Sequence, residues 1–254
     1  MRLIMKRFRF MIFLCCCFCY PAVAAVRIGV PLFIPPYCVY DKVEGARGFD
    51  IDIMSAICTR LTWQCQYVPM KVNKLFPALA AGKIDFVIGG LIITAERQKA
   101  FLFSQPYLPS DAYFLVLVNS HVKKITDLDG KRVGALQGRE YINFLRERFN
   151  NRLTVVPYKL FSNLALDLKN DRIDAIFMNN ITALFLKYQH PNQVDIIHQK
   201  FQVGNGMGIA TTPGNEEKMR QINRVLNEIE SDGTFVRIYN YNFQFFIPQS
   251  TRKK

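Results

Sequence analysis

An α/β protein with parallel strands is predicted by three features of this chain. Short apolar runs alternate with helix-patterned segments, the alternation starts over after Ser120, and two extended stretches lie between and after the two series. In the first series, residues 26–30, 65–68 and 85–89 have strand character, while 49–61 and 74–81 space their apolar residues as helices do. In the second, strands are expected over 132–135, 154–157 and 173–178, and helices over 140–149, 162–170 and 181–190. Residues 113–119 (YFLVLVN) form a continuous apolar strand, and 202–211 (QVGNGMGIAT) are extended but broken by three glycines. A long amphipathic helix is expected over 216–230. No internal repeat or low-complexity tract interrupts this order, and the length suits one large domain or two smaller ones.

Residues 1–24 read as a secretory signal peptide. Arg2, Lys6, Arg7 and Arg9 make a basic start, residues 10–20 are unbroken apolar, and Ala22-Val23-Ala24 supplies small residues for cleavage near Ala24. The apolar stretch is short for a transmembrane helix. A lipid anchor on Cys15, Cys16, Cys17 or Cys19 is the alternative, but none follows the small residue that such anchoring prefers. Export implies a periplasmic location. Removing those four cations lowers the formal net charge from +13 to +9. The remaining Lys and Arg residues are dispersed among acids with no basic run, which speaks for solubility and against a nucleic-acid partner. A flexible tail is expected over 247–254.

The most informative segment is 89–107, GGLIITAERQKAFLFSQPY. An apolar strand runs into two glycines, and Thr94 then opens a short polar helix carrying Glu96 and Arg97. Bare backbone beside a forked guanidinium suits a small carboxylate, which arginine binds through two parallel charge-assisted hydrogen bonds. Taken alone, Arg97 would be read as a solvated helix charge. The run Gly204-Asn205-Gly206-Met207-Gly208 lacks the strand–turn–helix setting of a dinucleotide fingerprint. His121, His190 and His198 have no ligand-spaced partners, and no local motif suggests a catalytic triad, so no metal, cofactor or catalytic residue is assigned.

Five ordered blocks give this segment its company. They are Gly48-Phe49-Asp50-Ile51-Asp52; Phe76-Pro77-Ala78-Leu79 with Gly82-Lys83-Ile84-Asp85; Gly90 to Arg97 with Phe103-Ser104-Gln105-Pro106-Tyr107; Asp127 to Gly134; and Asp232-Gly233-Thr234. Together they resemble the family 3 bacterial solute-binding proteins, receptors of polar amino-acid ABC transporters, over about residues 26–245. The resemblance implies a two-lobed periplasmic binding protein fold (type II). Each lobe is then a mixed, mostly parallel sheet flanked by helices, and two crossover strands join the lobes. It places lobe 1 at 25–117 and 208–246 and lobe 2 at 118–207, with crossings near 118 and 208. It also implies a monomer that delivers an amino acid or related small carboxylate to a permease in the inner membrane.

In the family, ligand carboxylate and ammonium lie between the lobes, which gives Arg97 the carboxylate, Gly90 a backbone carbonyl and Ile92 a backbone N–H. Phe33 and Tyr37 form one wall. Members bridged at the matching helix–strand corner imply a Cys58–Cys65 disulfide, two buried thiols being the alternative, and leave Cys38 unpaired. Three positions depart from the pattern. Asn179 replaces the aspartate that meets the ammonium, Ile92 replaces a polar residue, and Arg139-Glu140 replace small hydroxyl residues at the start of a lobe 2 helix. Glu140 is either a helix-terminal carboxylate or a replacement partner for an ammonium. Pro31, where members selecting basic side chains place an acid, argues against arginine or lysine as ligand. An enzyme resembling cyclohexadienyl dehydratases, with Glu140 as its acid, and a sensory module are the alternative functions.

Overall fold

The structure, a computed structural model, describes residues 25–244. The expected signal peptide and the 247–254 tail lie outside the described residues. The chain begins with β1 (Val26–Pro31) and a small antiparallel sheet of β2 (Phe33–Ile34), β3 (Cys38–Asp41) and β4 (Gly45–Arg47). Next come α1 (Phe49–Arg60), β5 (Cys65–Met70), α2 (Leu75–Ala80), β6 (Phe86–Val87), α3 (Ala95–Gln98) and β7 (Leu102–Phe103). A second unit holds β8 (Asp111–Leu117), β9 (Arg132–Leu136), α4 (Tyr141–Phe149), β10 (Thr154–Tyr158), α5 (Phe161–Lys169), β11 (Ala175–Asn179), α6 (Asn180–Gln189) and β12 (Val194–Gln202). β13 (Ala210–Thr211), α7 (Glu216–Ser231) and α8 (Thr234–Asn242) complete the first unit.

Each lobe is thus a five-stranded mixed sheet with flanking helices. The first has the order β5-β1-β6-β13-β7, parallel across β5, β1 and β6 and antiparallel at β13; the second has the order β10-β9-β11-β8-β12. In the second, β10, β9 and β11 are parallel, while β8 runs antiparallel to both its neighbours. Parallel strands buried on both faces read as continuous apolar runs, which is why they were visible in the sequence. The first lobe packs α1 against α7 and α8, with Phe49 stacked 4.7 Å from Phe243. Met219, Ile222, Val225, Leu226 and Ile229 supply the buried stripe of α7. The second lobe centres on aromatic rings, with Phe114 4.6 Å from Phe177 and edge-on to Phe149 and Phe201.

The structure departs from the sequence reading at the outward crossing. Residues 113–119 do not join the lobes: β8 lies wholly inside the second sheet, between β11 and β12. Burial on both sides of a central strand makes the same continuous apolar pattern as a connecting strand would. The outward connection is instead 104–110, between β7 and β8, and the return is 203–209, between β12 and β13. These two segments run side by side. Tyr107 N–H donates to Met207 O at 2.9 Å, Met207 N–H to Leu108 O at 2.7 Å, and Ser104 N–H to Ile209 O at 2.8 Å. Two buried hydroxyls complete the ladder: Gly206 N–H donates to Ser110 Oγ and Ile209 N–H to Ser104 Oγ, each at 2.9 Å. β12 has no counterpart in the sequence reading, because an edge strand with His198, Gln199 and Lys200 facing solvent loses its apolar alternation.

Cys58, near the end of α1, and Cys65, at the start of β5, form a disulfide, and Cys38 is a buried free thiol donating to Pro31 O at 3.1 Å. Closing so short a loop removes about 2–3 kcal/mol of unfolded-chain entropy. The Cys58→Ser/Cys65→Ser variant should lose about that much stability in urea unfolding at an unchanged m-value. A midpoint equal to that of the oxidised wild type would show that the bridge contributes nothing.

Candidate functional site

The site begins where β6 stops. Gly89 and Gly90 take φ of 150° and 58°, turning the chain out of the sheet and baring its backbone. Beneath them lies Asp50 in the first turn of α1, with no exposed surface. It accepts the Gly90 N–H and, at 3.1 Å, the Tyr107 hydroxyl. Burial pushes the Asp50 carboxyl up to about 7, against the lowering pull of Gly90 N–H, the Tyr107 hydroxyl and the Arg139 charge.

Thr94 caps α3, its hydroxyl accepting Arg97 N–H at 3.2 Å, and this sends the Arg97 side chain back along the strand end. The guanidinium lies 4.6 Å above the Phe76 ring. It donates from Nη1 to Ile92 O and from Nη2 to Gly138 O, each at 2.8 Å, and its Nε is 2.9 Å from Glu140 Oε1. Burial lowers its pKa to about 10 while Glu140 raises it, so it carries a full charge at neutral pH.

The facing surface belongs to lobe 2, at the turn from β9 to α4. Gly138, with φ 80°, presses against lobe 1 so closely that a Cβ there would stand 2.7 Å from Asn73 Cα. Arg139, 6% exposed, reaches across and donates to Gly90 O and, at 2.8 Å, to Gly89 O. The Gly89–Gly90 peptide therefore presents its carbonyl to a buried cation and its N–H to a buried carboxylate. Glu140 is the N-cap residue of α4, and its carboxylate meets Arg97.

The other expected residues divide. Tyr37, fully buried, donates its hydroxyl to Asn179 Oδ1 at 2.7 Å, which links the lobes. Asn179 is occupied as the cap of α6: Oδ1 also accepts Ile181 and Thr182 N–H at 2.9 and 3.3 Å, and Nδ2 donates to Asp111 O at 3.1 Å. Ile92 is buried and lends its carbonyl to Arg97. Phe33 is half exposed, its ring centre 5.6 Å from that of Phe161 across the cleft. The sequence reading assigned no role to Asp50, Phe161, Tyr141 or Thr182, and none to Arg139 beyond its departure from pattern. Only Asp50 carried a signal, an acid on the buried side of a helix within a recognised block.

Two of the spaces between the lobes adjoin these groups. The inner one, about 20 Å³, is bounded by Tyr37, Gly90, Arg139, Tyr141, Asn179 and Thr182. Thr182 Oγ1 is buried there without a hydrogen-bond partner, and the buried Tyr141 hydroxyl lies beside Asn179. The outer groove, about 270 Å³, runs between Leu32, Phe33 and Val72 on one side and Leu160 and Phe161 on the other, with Lys71 and Lys159 along it. Among the described residues no cluster of His, Cys, Asp and Glu has the arrangement of a metal site, and no helix is long and apolar enough to cross a membrane.

Two mixed sheets joined by a pair of adjacent connections, with a forked cation between them, define a hinged receptor for a small solute. The chain belongs to the bacterial extracellular solute-binding proteins, family 3, whose model matches residues 26–245. The ABC transporter arginine-binding protein 1 of Escherichia coli (strain K12) is 32% identical over 85% of this chain and 90% of its own length. The histidine-binding periplasmic protein of Salmonella typhimurium is 31% identical over 87% of this chain and 88% of its own. Among solved structures, an arginine 3rd transport system periplasmic binding protein from Legionella pneumophila superposes with a TM-score of 0.82 at 33% identity, covering 86% of this chain and 99% of that one. These relatives are named as binding proteins, and this chain is a solute-binding protein of the ABC-transporter class rather than an enzyme.

Asp50 gives the site a pH signature. Its folded pKa of about 7 lies above the ordinary value of 3.8, so the folded state holds an extra proton between the two. Its stabilising contribution is complete below the lower value and is lost as pH rises through the upper one. Asp50→Asn keeps an acceptor for Gly90 N–H and removes the titration. Relative to wild type, its melting temperature should gain between pH 5 and pH 8. Parallel pH profiles for the two proteins would show that Asp50 ionises normally.

Proposed function

We propose that this protein captures an amino acid or related small carboxylate between its lobes and delivers it to the inner-membrane permease of an ABC importer. It acts as a monomer in the periplasm after removal of the signal peptide near Ala24. The observation that carries the reading is Arg97. Its planar donor set lies at the lobe interface, backed by Phe76 and set beside the Gly89–Gly90 strand end. That is the chemistry a carboxylate requires.

In this reading Arg97 takes the ligand carboxylate with Ile92 N–H, and the Gly90 carbonyl takes a donor from the ligand. The ligand's distal part lies in the outer groove between Phe33 and Phe161. Closure turns on 104–110 and 203–209, where a few residues per connection absorb the rotation. Asn179 acts indirectly, by holding Tyr37 and the α6 terminus. Lys71 and Lys159 beside the groove favour anionic or neutral distal groups over cationic ones. The arginine- and histidine-binding relatives support the substrate class.

Calorimetry with L-arginine, L-histidine, L-glutamine and small dicarboxylates is the test. At least one should bind saturably, and Arg97→Ala should lose about 2–5 kcal/mol of that affinity, the cost of truncating a desolvated charge partner, while remaining folded by circular dichroism. Retention of affinity within twofold would remove Arg97 from the site.

A further inference from the structure

We propose that the Arg139-Glu140 pair is a built-in occupant of the cleft, which a solute must displace, and that Arg139 thereby sets affinity and specificity. The inference deepens the solute-binding reading and rests on it. Arg139 and Glu140 are adjacent in sequence and bring one cation and one carboxylate into the space between the lobes. The cation donates to the carbonyls of Gly89 and Gly90, the acceptors left without a sheet partner where β6 ends. The carboxylate takes the Nε edge of Arg97, the donor set best suited to a free carboxylate. The chain has laid its own zwitterion across a zwitterion's hydrogen-bonding groups.

The packing agrees. With Arg139 6% exposed, the inner space is about 20 Å³, room for a water molecule and not for an amino acid. The buried Tyr141 Oη and the unpartnered Thr182 Oγ1 border that space, so swinging Arg139 out would enlarge a pocket already lined by polar groups. Gly138 lets this turn approach lobe 1, and its carbonyl accepts Arg97 at 2.8 Å. The same turn therefore supplies the occupant and joins the lobes. A solute binding only where the occupant has left sees its affinity reduced by the fraction of molecules in which it has left. A cationic group gains least, because the acceptors it would use are those Arg139 holds.

The test compares wild type, Arg139→Ala and Arg139→Lys, the lysine variant keeping a charge without the fork. Two readouts are taken: the radius of gyration by solution scattering without added solute, and affinity for L-arginine, L-histidine and L-glutamine by calorimetry. Arg139→Ala should be more expanded than wild type and bind a probe about tenfold or more tightly, with Arg139→Lys between them. Where a probe binds, equal or weaker affinity in Arg139→Ala overturns the occupant and leaves the solute-binding reading intact. Where no probe binds any of the three, the radius decides. Expansion then keeps the occupant and counts against an amino-acid ligand, and an unchanged radius overturns the occupant. Should Arg139→Ala fail to fold, the same criteria apply to Arg139→Lys.

Discussion

The rest of the site depends on one peptide group, the Gly89–Gly90 unit. Its N–H is pinned by Asp50 from below and its carbonyl by Arg139 from the other lobe. Only glycines turn so abruptly out of a strand here, and a Cβ on Gly89 would fall 2.3 Å from Pro31 Cδ. With that turn made, the next carbonyls and the capped α3 carry Arg97 into the same gap. Positive and negative side chains from both lobes then converge on a few ångströms of backbone.

Such convergence is costly unless every charge is answered. Arg97 answers Glu140 directly, whereas Arg139 and Asp50 answer each other through a polarised peptide. Burying paired charges contributes little net stability, yet removing one partner leaves the other stranded. A cleft built this way has little tolerance for an unpaired charge. It also explains why a cleft arginine pair sits comfortably beside one largely buried glutamate and one fully buried aspartate.

The lobes meet through two thin connections whose backbone ladder is completed by Ser104 and Ser110. Hydroxyls in place of strand hydrogen bonds let two segments stay together without extending either sheet across the gap. The rigid bodies on either side have different cores: a helix-covered sheet with a disulfide-tied corner, and a sheet packed on clustered phenylalanines. Relative motion therefore has an obvious place to concentrate, and the cross-cleft bonds of Arg97, Arg139 and Tyr37 are what oppose it.

Much of this was legible in the chain itself. Alternating strand and helix patterns are local consequences of period and capping, so α1, α4, α7 and the parallel strands could be read from residues alone. Family blocks then singled out Arg97, Gly90 and the Cys58–Cys65 corner. The position of β8, the outward crossing and the edge strand β12 could not be read, because an apolar run looks the same at the centre of a sheet and between two lobes. Nor could the roles of Asn179, Arg139 and Glu140. A side chain's hydrogen-bonding partner is decided by which backbone atoms face it from the opposite lobe, and sequence distance carries no record of that. Residue types and local periods determined the elements and the chemistry available. Only the approach of Gly138 to Asn73, permitted by a missing Cβ, decided which charges meet.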